Sequence, residues 1–168
     1  MNKKRPIRID GDIAYVPLTQ GCTAIIDAED AALIGQYNWY VQLAPQTVYA
    51  VRNHPEDGRQ KQVRMHREIV KTPDGLKADH IDGNGLNNRK SNLRNCTQEQ
   101  NSRNQRPQTG GTSAYKGVFW HKASVKWQAQ IGYKYLRKHL GYFDSEQEAH
   151  AAYCRASAEI HKEFGRTE

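Results

Sequence analysis

No apolar run in the chain approaches the roughly 20 residues needed to span a bilayer, and a mean hydropathy of −0.91 argues against a membrane partner. The opening MNKKRPIRIDGD is basic, but no apolar stretch follows it, so a signal peptide is not expected. Cysteine is scarce and scattered: Cys22, Cys96 and Cys154 lie far apart with no CxxC pair. That spacing offers neither a structural zinc site nor a disulfide framework, and it fits small hydrophobes in a reducing cytoplasm. The sharpest deficit is local. Between Arg103 and Phe143 there is no Asp or Glu, while Arg103, Arg106, Lys116, Lys122, Lys126, Lys134, Arg137 and Lys138 are all basic.

The net charge of +7 and an isoelectric point near 9.4 make a polyanion the natural partner. A merely well-solvated basic protein would spread that charge evenly. Here acids and bases balance over residues 1–65 and the excess sits later. A length of 168 residues is one average domain or two small ones, and the shift in composition favours two.

The stretch from Ala78 to Asn101 reads ADHIDGNGLNNRKSNLRNCTQEQN. It sets a carboxylate beside an imidazole at Asp79-His80 and follows them with a Gly- and Asn-rich loop. Amide side chains return at Asn87, Asn88, Asn92 and Asn101. Asp79 offers a hard anionic oxygen suited to Mg²⁺ or Mn²⁺, His80 the side chain that takes a proton near neutral pH, and Asn a carbonyl that adds no charge. Neighbours on an extended strand face opposite ways, so Asp79 and His80 reach one phosphate together only at a strand end or bend. Asp82-Gly83-Asn84-Gly85 supplies the bend. A polar surface turn would also contain such residues, and a lone Asp-His pair does not separate the two readings.

The run DHIDGNGLNNRKSNLR followed by TQEQNSRN resembles the HNH nuclease family, in the homing-endonuclease branch where Asn replaces the last His. The resemblance implies a ββα-metal finger over about residues 61–101. Asp79 and Asn101 would be metal ligands, His80 the general base that deprotonates the attacking water, and Asn92 the residue that orients the His80 ring through its carbonyl. A neutral amide at Asn101 points to Mg²⁺ or Mn²⁺ rather than Zn²⁺. The implied reaction is phosphodiester hydrolysis that leaves a 5′-phosphate and a 3′-hydroxyl. The family commonly has a His-Arg pair upstream. For His66-Arg67 two readings stay open: Arg67 on the phosphate and His66 anchoring the fold, or a solvated basic pair starting a helix.

Residues 1–65 read as short strands with one helix. Ile13–Leu18 and Thr23–Ile26 are β-prone, Asp27 is expected to cap a helix over Ala28–Gln36, and residues 38–41 and 49–52 alternate as strands. His54–Arg59 reads as a turn, and Lys61–Met65 as a last strand. This segment is expected to be scaffold, with Trp39 and Tyr40 in its core. Thr97 with Gln100 has the spacing of a capping box that starts a helix carrying Asn101. Ser102–Thr112, with Pro107, Gly110 and Gly111, then reads as a flexible basic linker.

From Ala114 onward the pattern changes to three β-prone runs, Tyr115–Lys122, Lys126–Tyr133 and Leu136–Phe143. An amphipathic helix follows, opened by a Ser145/Glu148 capping box and closed at Gly165. The strings YKGVFWHK, KWQAQI and HLGYFDSEQEAHAAY resemble the plant ethylene-response-factor (APETALA-type) DNA-binding domain, which lays its sheet in the major groove. Carried over by position, Lys116, His121, Lys126, Gln130, Arg137 and His139 would contact DNA. Phe119 and Gln130 depart from that family's usual residues, so sequence preference does not transfer. Lys and Arg suit phosphates, while Gln130 and Arg137 suit base edges. For Trp127 packing is the expected role.

The expectation is an α+β chain in three parts: an HNH nuclease domain over 1–101, a linker over 102–112 carrying the DNA contacts Arg103 and Arg106, and a DNA-binding domain over 113–168. It would be a metal-dependent endonuclease of the homing type acting on double-stranded DNA in a bacterial or phage-infected cytoplasm. Tethering a binding module to a small nuclease raises local concentration and specificity. The rival is a non-catalytic DNA-binding regulator whose finger is structural. An RNA-binding role lacks the paired exposed aromatics of a single-strand platform. One finger nicks one strand, and nothing decides between monomer and dimer.

Overall fold

The computed structural model describes residues 4–45, 47–56, 58–105, 110–133 and 136–167. The chain forms two compact units, Met1–Gln98 and Glu99–Glu168, and is an α+β assembly of several antiparallel sheets and short helices.

The first unit opens with β1 (Arg8–Asp10), β2 (Ile13–Pro17) and β3 (Thr23–Asp27), an antiparallel sheet in that order. Period-two alternation buries Ala14, Val16, Ala24 and Ile26 on one face. A single 3₁₀ turn, Ala28–Asp30, leads into the short α1 (Ala31–Ile34). This differs from the expected helix over 28–36 in length and in its cap. Asp27 makes no capping hydrogen bond. Its carboxylate is instead claimed by Arg89 Nε at 2.8 Å and the Lys90 amide at 2.8 Å, partners that local capping rules do not see.

Next come β4 (Tyr40–Leu43), β5 (Val48–Glu56) and β6 (Arg59–Arg64), a second antiparallel sheet. The segment expected to be a turn from His54 is strand as far as Glu56, so β5 and β6 make a long hairpin. The helix α2 (Met65–Ile69) follows at once, then the two-stranded β7 (Lys77–His80) and β8 (Leu93–Cys96). A single cluster that includes Ile26, Ile34, Trp39, Ala50, Met65 and Leu93 joins these elements. Trp39 is 1% exposed and donates its Nε1–H to Ile34 O at 2.9 Å, so its core role holds.

The second unit holds nearly all of α3 (Gln98–Asn104), then β9 (Val118–His121), β10 (Lys126–Tyr133), β11 (Leu136–Phe143) and α4 (Glu146–Ile160). The helix α3 extends through Ser102, Arg103 and Asn104, residues expected to be linker. The sheet order is β11-β10-β9, and α4 lays Ala149, Ala152, Tyr153 and Ala156 against Val118, Ala129 and Ile131. The Ser145/Glu148 capping box is formed on both sides. Gly117 has φ +71°, and a Cβ there would strike the Gln130 carbonyl and the Tyr153 ring. Only glycine permits that approach of β9 to β10 and α4.

Candidate active site

Asp79 and His80 end β7, the strand terminus where adjacent side chains can serve one site. Both are buried, at 7% and 5% exposure. The antiparallel register sets Asp79 opposite Arg94 and His80 opposite Leu93. Arg94 donates from Nε (3.0 Å) and Nη2 (2.9 Å) to Asp79 Oδ2, so this carboxylate is already engaged by a guanidinium.

The loop from Ile81 to Asn92 is built around Asp82. Its Oδ1 accepts from the Asn84 amide (2.7 Å) and Asn92 Nδ2 (2.9 Å), and its Oδ2 accepts from Asn87 Nδ2 (2.8 Å). Burial pushes the Asp82 carboxyl up, but these donors outweigh it and hold it below the usual carboxylate value. Asn92 Oδ1 accepts from the Asp82 amide at 3.0 Å, and Asn92 Nδ2 also donates to Asn87 O at 2.8 Å. Asn92 therefore braces the loop. Asn88 Oδ1 lies 3.0 Å from His80 Nε2, a contact that the family resemblance, which gives the ring's orientation to Asn92, does not name.

Asn88 is fully buried and is set by the first sheet. Its amide donates to Ile25 O at 2.7 Å, and the Ile25 amide donates to Leu86 O at 2.8 Å, so the loop adds to the edge of β3. Gly85 makes this possible, because a Cβ there would collide with the Val48 carbonyl and the Tyr49 ring. Ion pairs lock the same junction: Arg89 to Asp27 (2.8 Å) and Asp12 (2.6 Å), and Lys90 to Glu29 (2.6 Å) and Asp30 (3.0 Å). The N-terminal sheet thus fixes the residue that contacts the imidazole.

His80 lies edge-on to His66, with ring centroids 4.7 Å apart, and Tyr49 is tilted against both. Burial lowers the His80 pKa, while Asn88, Asp82 and Asp79 act against the shift, and the net direction is down. The ring is neutral at pH 7, the state of a proton acceptor. If Nε2–H donates to Asn88 Oδ1, Nδ1 carries the lone pair. His66 is 2% exposed, and burial followed by the charge of His80 drives its pKa down to about 2. Glu68 on α2 accepts a two-pronged contact from Arg52 (3.0 and 3.2 Å), and the Arg52 guanidinium stacks on Tyr37 at 3.9 Å. These contacts seat the helix that carries His66. Asn101 lies on α3, in the second unit.

The second unit carries a polar sheet face. In β10, Trp127, Ala129 and Ile131 turn to α4, leaving Lys126, Gln128 and Gln130 on the other face. The pairings Lys126↔His121, Gln130↔His139 and Gly132↔Arg137 bring His121, Arg137 and His139 to that same face. Alternation along β10 already places Gln128 on this face, whereas sequence reasoning missed Tyr142. Gln128 Nε2 lies 2.9 Å from His139 Nδ1, and the Tyr142 ring sits 5.1 Å from His121 and 4.7 Å from His139. Strict alternation from Arg137 and His139 puts Tyr142 on the opposite face, and the register shift at Ala129/Gln130 brings it to this one as the partner of Gln128. Lys126 is paired with Asp144 at 2.9 Å.

Lys116 does not join this face. Its Nζ donates to the carbonyls of Arg103 (2.5 Å), Gln105 (2.7 Å) and Ser102 (3.4 Å), closing the C-terminal end of α3. Burial lowers its pKa to about 8. Arg103 is paired with Glu99 one turn back. Arg106 and Lys134 lie outside the described residues.

An Asp79 carboxylate is the kind of oxygen donor that suits a hard divalent cation. No group of three or more His, Cys, Asp or Glu among the described residues could hold a metal. No described helix is long and apolar enough to cross a membrane.

The HNH endonuclease family matches residues 71–103. Over 59 residues, 35% of this chain, the sequence is 39% identical to Protein 3.8 of Escherichia phage T7 and covers 49% of it, about half that protein's length. It is also 25% identical over 151 residues to an uncharacterized HNH endonuclease of Acanthamoeba polyphaga mimivirus, covering 86% of this chain and 74% of that protein. No solved structure matches. The residues matched to the HNH endonuclease family, 71–103, hold β7, the Asp82-centred loop, β8 and most of α3.

Proposed function

We propose that the chain is a metal-dependent DNA endonuclease of the homing type, with His80 as its general base. The observation that carries this reading is the state of His80 within the HNH match: buried, held neutral, and oriented by Asn88 at the end of β7. His80 accepts the proton of a water at Nδ1. The water oxygen attacks phosphorus in line and the 3′ oxygen departs, leaving a 5′-phosphate. Asn88 fixes the ring orientation, Asn92 and Asp82 hold the loop in register, and Asp79 would be a ligand of the metal, to which the family resemblance adds Asn101. A bound Mg²⁺ or Mn²⁺ supplies charge stabilisation to the phosphate and the departing oxygen.

The sheet face of the second unit is the targeting surface for duplex DNA, in keeping with the APETALA-type resemblance. Lys126 serves phosphates, and Gln130, Arg137, Gln128, His121 and His139 face base edges. Tethering this face to the nuclease supplies specificity that one small finger lacks.

One observation favours the non-catalytic reading: Arg94 already neutralises Asp79, and a site with that carboxylate permanently occupied would bind DNA without cutting it. Supercoiled plasmid treated with wild type and His80→Ala, in Mg²⁺, Mn²⁺ or EDTA, decides. Nicked or linear product that needs both a metal and His80 is expected. Cutting by His80→Ala at the wild-type rate refutes His80 as the base, and DNA binding without cutting under any metal supports the regulator.

A further inference from the structure

The β5–β6 hairpin runs well past the core. From Asn53 to Glu56 on one strand and from Arg59 to Gln62 on the other, every described residue is exposed. Arg52, the last buried position of β5, pairs with Val63. A two-stranded ribbon with no packed face is marginally stable alone, so its length contributes little to the fold. Four paired residues per strand at about 3.4 Å each extend roughly 13 Å, and a major groove about 12 Å wide and 8.5 Å deep admits such a ribbon.

The two faces of the ribbon differ in chemistry. Pairings Asn53↔Gln62 and Pro55↔Gln60 gather three amide side chains on one face, and His54↔Lys61 and Glu56↔Arg59 put the charges on the other. The amides are held in advance: the Tyr40 hydroxyl donates to Asn53 Oδ1 at 2.6 Å and accepts from Gln62 Nε2 at 3.2 Å. Amides are the side chains that match the donor and acceptor pattern of base edges, above all adenine. The amide face also leads back to the imidazole. Val51↔Arg64 is the next pair on it, Arg64 lies over the Tyr49 ring at 4.6 Å, and Tyr49 is 6.0 Å from His80. On the charged face Lys61 neutralises Glu56 at 2.8 Å, which leaves Arg59 as the cation for a flanking phosphate.

From this geometry we infer that the β5–β6 ribbon enters the major groove of duplex DNA beside the cut, with Asn53, Gln60 and Gln62 reading bases and Arg64 facing the backbone near His80. The assignment of the cut to His80 rests on the nuclease reading, and the contact of the ribbon with DNA does not. It gives the first unit its own recognition element, distinct from the sheet of the second.

Two measurements on the full chain test it separately. In the first, wild type and an Asn53→Ala/Gln60→Ala/Gln62→Ala variant cut a plasmid pool with randomised inserts, and the ends are sequenced. All three side chains are exposed, so folding is preserved. Wild type is expected to show base preferences within a few pairs of the cut. The variant should keep metal-dependent cutting but lose those preferences, with a fall of about 10- to 100-fold on preferred sequences. Unchanged preferences in the variant overturn the inference while leaving the nuclease intact. In the second, benzoylphenylalanine replaces Gln60 or, as a control on another exposed loop, Asp74, and each protein is irradiated with duplex DNA. Cross-links to bases from position 60 well above those from 74 are expected whether or not the chain cuts. Equal yields from the two positions overturn the ribbon contact. A chain that cross-links at position 60 but never cuts removes the nuclease reading and keeps this one.

Discussion

In the first unit the polar groups of the candidate site are buried: His80 at 5% exposure, Asp79 at 7%, His66 at 2% and Asn88 at 0%. In the second they line the open face of a sheet whose other face is packed by α4. A group that must hold one protonation state and one orientation gains from low dielectric and fixed partners. A group that must reach a phosphate or a base edge gains from staying in solvent until the nucleic acid arrives. The same residue type therefore behaves differently in the two places. His80 is kept neutral by burial, whereas His139 meets Gln128 and Tyr142 on an exposed sheet face.

The contrast is broken or sharpened most strongly at His80. His80→Ala is expected to reduce plasmid nicking by about 100- to 10,000-fold, the range of a lost general base, with binding to duplex DNA retained in a gel-shift titration. A loss of binding equal to the loss of cutting would merge the two roles and erase the distinction between the units.

Asn88→Ala comes next. It removes the oxygen at His80 Nε2 and empties a fully buried position, at a cost of about 1–3 kcal/mol. Turnover is expected to fall roughly 10- to 100-fold with little change in KM. If Asn92→Ala affects turnover through the ring more than Asn88→Ala does, the contact seen at Nε2 is not the one that orients the base.

His66 gives a pH signature that the open sheet lacks. Folded, its pKa is about 2, against 6.5 when exposed. Below 6.5 the unfolded chain takes up a proton that the folded chain refuses, so stability is intact above that pH and lost as pH falls beneath it. The slope is about 1.4 kcal/mol per pH unit for this one group. Urea unfolding of wild type and His66→Phe between about pH 7 and 5 should show a shallower acid loss in the variant. Parallel curves would mean that His66 is not kept neutral by burial.

The smallest effect is expected on the sheet. Lys126→Ala should weaken duplex binding evenly across sequences and lower the salt slope by about one, the mark of a phosphate contact. An unchanged slope, measured by titration at several salt concentrations, would remove Lys126 from the DNA surface.

Much of this architecture is legible in the residues. The period-two runs over 126–133 and 136–143 are β10 and β11 at their expected bounds, and the Ser145/Glu148 pair opens α4 as its spacing requires. The order strand, loop, strand, helix from Lys77 to Asn104 follows the ββα expectation. Other features escaped. The strand β1 is three exposed residues with no alternation to read, and β5 continues through His54-Pro55-Glu56 because β6 pairs with it, against the turn character of those residues. Asp27 has the chemistry of a helix cap, but cations more than sixty residues away outcompete the local amides. Lys116 resembles a DNA contact by position and closes a helix end instead.

The sequence by itself determined the HNH stretch, the basic character of the second half, the alternation that makes one sheet face polar, and the capped helix beneath it. Those are properties of neighbours within a few positions, where strand period, helical spacing and side-chain chemistry act directly. Tertiary structure alone decided that Asn88 meets His80, that Arg94 pairs with Asp79, and that the N-terminal sheet is the brace of the loop. Each depends on which backbone edge docks against which. A run of five asparagines between Asn84 and Asn95 offers nearly equal amides, and only their distances once Ile25 has taken Leu86 and Asn88 as partners distinguish them.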